Sequence, residues 1–103
     1  MKIQAKQLNA EIASGKRVSL IDVRTPAEHG EVHIEGSHLM PLDRLDAGVV
    51  RSAASGAQRC VLICRSGKRA EQAYQKLQAA GCENLAVLEG GVLQQVGTPQ
   101  ELY

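Results

Sequence analysis

What most limits how this chain can fold is its alternation of short apolar runs with amphipathic stretches. Residues 18–23 (VSLIDV), 59–64 (RCVLIC) and the apolar part of 84–91 (NLAVLEGG) are too short for helices. They are rich in branched side chains and continuously apolar, the pattern of strands buried on both faces. Between them lie helical patterns. Residues 5–14 place Leu8 and Ile12 at helical spacing and stop at Gly15, and residues 67–81 put Ala70, Ala73, Tyr74, Leu77 and Ala80 on one face before Gly81. Thr25, Pro26 and Glu28 spell a helix start: a cap, a proline at the first helical position and a glutamate three residues after the cap. Residues 37–42 add a short strand and 43–54 a helix. Strands alternating with helices predict a three-layer α/β fold, a mostly parallel central sheet with helices on both faces. Ligands collect at the carboxyl ends of strands in such sheets.

The chain of 103 residues is expected to form one domain, residues 1–103. Its aromatic residues are Tyr74 and Tyr103 alone, so aliphatic side chains must fill the core and no stacking platform for single-stranded nucleic acid is available. A formal charge of +1 supplies no general field for nucleic acid or a membrane surface. The opening residues lack the apolar core of a signal peptide, and no segment approaches the roughly 20 apolar residues of a membrane span. The expectation is a cytoplasmic protein with no nucleic-acid partner and no direct membrane contact. Cys60, Cys64 and Cys82 form no CxxC pair, and Cys60 and Cys64 would lie roughly 13 Å apart on a straight strand. Reduced thiols are expected, with neither a disulfide framework nor a zinc site.

Cys64 ends the clearest strand and opens the segment CRSGKRA, residues 64–70. A cysteine at the end of a core strand usually only packs. A packing residue, however, needs none of the neighbours that follow here. Where strand turns into helix, loop and helix-start N–H groups converge, backed by the positive end of the helix dipole. Gly67 permits the tight curvature, while Arg65, Lys68 and Arg69 add full charges. A thiol reacts as thiolate, and its free pKa of about 8.5 leaves a minority ionised near neutrality. This segment is an anion cradle with a nucleophile at its base.

The same segment, with LIDVRTPAEHGEVHIEGSHLMPL upstream and AGCENLAVLEGGV downstream, resembles the rhodanese-like sulfurtransferases over about residues 3–92. Asp22, Arg24, Glu28, His33, Ile34, Gly36 and Ser37 match the family's upstream pattern in order. The resemblance implies a sulfur relay by a single-domain rhodanese of the thiosulfate:cyanide type. Cys64 would take sulfane sulfur from an anionic donor such as thiosulfate, become a persulfide and pass the outer sulfur to cyanide or a thiol. Arg65, Ser66, Gly67, Lys68 and Arg69 would bind the donor and the persulfide, with no metal or organic cofactor. A non-catalytic carrier or binding module, loaded by a sulfur-relay partner protein, is the alternative reading. Phosphatases and arsenate reductases share this fold family, but their loops carry an arginine six positions after the cysteine. That position is Ala70 here, and Arg69 stands five after, so the loop is one residue short for a tetrahedral oxyanion.

Other polar residues carry structural expectations. Asp22 and Arg24 are expected to support neighbouring loops through a charge-assisted pair. His29, His33 and His38 lack a strong metal pattern and are assigned to loop packing or solvent. Cys60 and Cys82 are assigned to the core, ahead of a resolving-thiol role for Cys82, and Arg44 to a solvated helix. Glu89, Gly90 and Gly91 match the family's strand-to-helix turn. The chain departs from the family after it: there is no Trp, and Gly97 and Pro99 come early, so the last helix, about 89–96, is expected to be shortened.

Overall fold

The computed structural model describes residues 2–65 and 67–89. Ser66, Gly90, Gly91 and the expected last helix beyond Glu89 lie outside them. The elements follow in the order β1 (Lys2–Ile3), α1 (Ala5–Ala13), β2 (Val18–Asp22), α2 (Pro26–Glu31), β3 (His38–Leu39), α3 (Ala47–Ala53), β4 (Arg59–Ile63), α4 (Lys68–Ala79) and β5 (Leu85–Leu88). All five strands are parallel in the order β1-β5-β4-β2-β3, giving the α/β architecture that the alternating pattern predicts.

The two longest strands are the most extensively paired. β2 and β4 match residue for residue from Val18 opposite Arg59 to Asp22 opposite Ile63, and β5 joins β4 with Cys60 opposite Leu85. Strand alternation then divides the core into two layers. Ile21, Val23, Cys60, Leu62, Leu85 and Val87 face Val50 of α3 and Ala70, Ala73 and Leu77 of α4. Leu20, Val61, Ile63, Ala86 and Leu88 face the other way, onto Ile3, Leu8 of α1 and Ile34. Fully buried Ala70 and Ala73 give α4 a flat face toward the sheet, which suits a core without Phe or Trp.

The structure corrects three details. Residues 43–54 do not form one helix: a 3-10 turn at Leu42–Arg44 is separated from α3 by extended Asp46, whose carboxylate accepts N–H bonds from Gly48 and Val49 at 2.8 and 3.1 Å. A side chain that satisfies the backbone this way starts a new helix rather than continuing an old one. Arg44 therefore sits exposed in the 3-10 turn. β4 stops at Ile63, leaving Cys64 just beyond it. Edge strand β1 was not legible because two residues, only one of them apolar, carry no period. Among the described residues, no helix is long and apolar enough to cross a membrane.

Leu62 is fully buried between β2 and β5, whereas Ile12 of α1 is 44% exposed. Leu62→Ala is expected to cost about 2–5 kcal/mol in urea unfolding, and Ile12→Ala no more than about 0.5 kcal/mol.

Candidate active site

The site forms where β4 ends. Val23 N–H bonds to Ile63 O at 2.9 Å, holding the strand to its last residue, and Cys64 follows with no exposed surface. The chain then turns through Gly67, whose φ of +93° favours glycine, into α4. Gly67 has no side chain to cap this helix, and the Cys64 sulfur takes that role. Sγ accepts from Gly67 N–H at 2.8 Å and from Ala70 N–H at 3.4 Å. Ala70 is the third residue of α4, so its amide is one that the helix itself leaves unpaired. Two amides and the positive end of the helix dipole thus point at one sulfur atom.

The three cations of the loop differ in their surroundings. Arg65 and Lys68 are exposed, and among the described residues neither has an ion-pair partner. Arg69 is held in a two-pronged pair with Glu28, Nη1 to Oε1 at 2.7 Å and Nη2 to Oε2 at 2.9 Å. Glu28 is itself fixed by the capping box of α2: Thr25 N–H and Oγ1–H donate to Oε1, and Glu28 N–H donates to Thr25 Oγ1. The Arg69 guanidinium is the main cause holding the Glu28 carboxyl down at about 2. The same pair raises the pKa of Arg69, with Cys64 and Asp22 adding smaller contributions. The sequence marks Glu28 as a cap residue but gives no sign of this partner 41 positions away.

Asp22 and Arg24 lie beneath the loops, 1% and 3% exposed. Arg24 donates to both Asp22 oxygens at 2.8–3.1 Å and to Val32 O at 2.6 Å. The backbone oxygens of Asp22 and Val23 accept from Met40 and Leu42 N–H. This end of β2 therefore anchors the chain on both sides of α2 and β3. A cavity of about 390 Å³ opens beside Arg69, between Val23, Thr25, Leu42 and Lys76. Lys76 escapes sequence reasoning because its place on the cavity depends on where the 3-10 turn settles.

The remaining candidates are elsewhere or otherwise engaged. The rings of His29 and His33 stack at 3.9 Å, and His33 Nδ1 is bonded to His29 O at 2.7 Å. Burial, then the neighbouring His33, lowers the pKa of His29. His38 is exposed. Among the described residues no three His, Cys, Asp or Glu side chains cluster as metal ligands. Cys60 precedes Cys64 by four residues, roughly 13 Å along the strand direction. Cys82 lines a cavity with Cys60 at that far end of the sheet, which removes it from Cys64 as a resolving thiol.

Comparison with known proteins gives a consistent result. The family model described as Rhodanese-like domain matches residues 4–95. The chain is 32% identical over 91 residues to the probable adenylyltransferase/sulfurtransferase MoeZ of Mycobacterium tuberculosis, a match that spans 88% of this chain but 23% of that protein's length. It is 31% identical over 93 residues to a sulfurtransferase of Allochromatium vinosum, covering 89% of this chain and 84% of the relative. The crystal structure of a rhodanese-like domain protein from Staphylococcus aureus superposes with a TM-score of 0.75 at 27% identity, covering 100% of this chain and 97% of the other.

Two outcomes follow from the pairs at this site. Glu28 has a folded pKa below its ordinary value of 4.5, so its pair stabilises the fold above that pH and is lost as pH falls toward about 2. Urea midpoints of the native chain and Glu28→Gln should therefore differ near neutrality and converge between pH 4.5 and about 2. Asp22→Asn strands the Arg24 charge in the core and should cost about 3–5 kcal/mol by the same measurement.

Proposed function

Because this chain belongs to the rhodanese-like domain family, we propose that it is a sulfurtransferase that carries sulfane sulfur as a persulfide on Cys64. The observation that carries this reading is the buried Cys64 sulfur held by the Gly67 and Ala70 amides at the start of α4. The donor is an anion of the thiosulfate type. Arg65 and Lys68 attract it, and Gly67 and Arg69 complete the wall of its site; Ser66, which lies outside the described residues, is assigned to the same loop from the sequence alone. Asp22 and Arg24 support these loops without touching substrate.

In the first half-reaction the Cys64 thiolate attacks the outer sulfur of thiosulfate. A new S–S bond forms to Cys64, the donor's S–S bond breaks, and sulfite departs with the electron pair. In the second, cyanide or a thiolate attacks the outer sulfur of the persulfide; that S–S bond breaks, thiocyanate or a new persulfide leaves, and the Cys64 thiolate returns. The amides that hold the Cys64 sulfur are placed to stabilise negative charge at both stages. Position 70 argues against phosphoryl transfer: it presents a backbone N–H 3.4 Å from the sulfur and a methyl group, not a guanidinium that would clamp equatorial phosphate oxygens. We assign the three reduced cysteines to a cytoplasmic protein, and residues 1–103 to a single rhodanese-like unit.

A second reading, a carrier loaded by a partner protein and without useful turnover on small donors, is supported by the match to a 23% share of MoeZ, where such a unit is one part of a longer chain.

The reduced protein is incubated with thiosulfate, freed of excess, and weighed intact before and after cyanide. The expected result is a gain of one sulfur atom that cyanide removes and that Cys64→Ser abolishes. No gain, with Cys64 still open to alkylation, contradicts thiosulfate as donor. Steady-state turnover separates enzyme from carrier. Lys68→Ala should raise the thiosulfate KM roughly 3–10-fold at low salt with kcat little changed, and the difference should shrink as ionic strength rises.

A further inference from the structure

At the end of the sheet opposite Cys64, a cavity of about 250 Å³ is lined by Val50, Arg51, Cys60, Cys82, Glu83 and Asn84. The mechanism uses none of these residues. Both cysteines are free and both belong to the core layer facing α3 and α4, so their side chains enter the cavity from the same face of the sheet. Their backbones adjoin: Cys60 N–H bonds to Asn84 O at 2.8 Å, and Glu83 alone separates Asn84 from Cys82. Exposed Gly81, Glu83 and Asn84 flank Cys82 in this turn, while Cys82 itself is 9% exposed and packs into the core.

The two thiols are chemically unequal. Arg51 Nη1 lies 3.9 Å from Cys82 Sγ and is held there by Ala80 O at 3.0 Å. Cys82 Sγ also lies 3.9 Å from Ala47 O, so polar groups meet it on two sides. Cys60 is 2% exposed, has no hydrogen bond to its sulfur among the described residues, and is pushed up to about 11 by burial first and the nearby Cys82 second. One sulfur is thus placed to react and the other to follow.

We propose that Cys82 and Cys60 form a second thiol site, in which a small hydroperoxide is reduced in the cavity while the two sulfurs join as a disulfide. The Cys82 thiolate attacks one peroxide oxygen; the O–O bond breaks, hydroxide leaves and takes up a proton, and Cys82 becomes a sulfenic acid. Cys60 then gives up its proton and attacks the Cys82 sulfur. The S–O bond breaks, water leaves, and two electrons have passed from the thiol pair to the peroxide. The product ties the start of β4 to the turn before β5.

The test uses hydrogen peroxide on folded Cys64→Ser, in which Cys60 and Cys82 are the remaining thiols. Intact mass, thiol counting in denaturant and peptide mapping follow the reaction. The expected result is that both thiols disappear together, the mass falls by two hydrogens in the monomer, and one reductant-sensitive peptide links Cys60 to Cys82. Finding the same linked peptide in the unsubstituted protein makes the result independent of the serine variant. Cys82→Ala should leave Cys60 open to alkylation, and Arg51→Gln should slow the reaction about 3–10-fold. Oxygen adducts on Cys82 with Cys60 still free, survival of both thiols, or crosslinks only between chains would overturn the proposal.

Discussion

The buried pair of Asp22 and Arg24 is the interaction through which the rest of the site is connected. A guanidinium with 3% exposure is tolerated because both carboxylate oxygens and the Val32 carbonyl receive its hydrogens. That network fixes the end of β2 and returns the chain after α2 to the sheet. α2 is thereby set where Glu28 reaches Arg69 in the first turn of α4, and this turn presents Gly67 and Ala70 N–H to the Cys64 sulfur. The line runs from a core ion pair to the Cys64 sulfur through hydrogen-bonded steps, each geometrically specified.

The electrostatics of the loop are more restrained than three adjacent cations suggest. Glu28 neutralises Arg69 with two bonds, which leaves exposed Arg65 and Lys68 as the loop cations without an ion-pair partner among the described residues. Local attraction comes from amides rather than from full charges. Amides hold an anion without the desolvation cost of a buried cation, and they would suit the proposed alternation between thiolate and persulfide. The cavity between Leu42, Arg69 and Lys76 adds a partly apolar wall beside this cradle.

Much of this was legible in the sequence because it rests on local rules. Residues 18–23 and 59–64 read as strands from their apolar continuity, Thr25 to Glu28 as a capped helix start, and Gly67 as the turn into α4. The break at Asp46 was not legible: the apolar pattern of 43–54 runs through it, and only the carboxylate's bonds to Gly48 and Val49 reveal a second helix start. The pair of Glu28 with Arg69 and the shared cavity of Cys60 and Cys82 depend on how distant segments dock, which neither spacing nor charge pattern encodes. Two-residue β1 gave no signal alone and exists because β5 offers it an edge.

The most direct test is to count sulfite released from thiosulfate in a rapid-mixing experiment with no acceptor present. A sulfur held on Cys64 between two half-reactions predicts a burst of one sulfite per chain that then stops until cyanide or a thiol is added. Sulfite that appears only when donor and acceptor are present together would contradict a Cys64 persulfide and require direct transfer between the two.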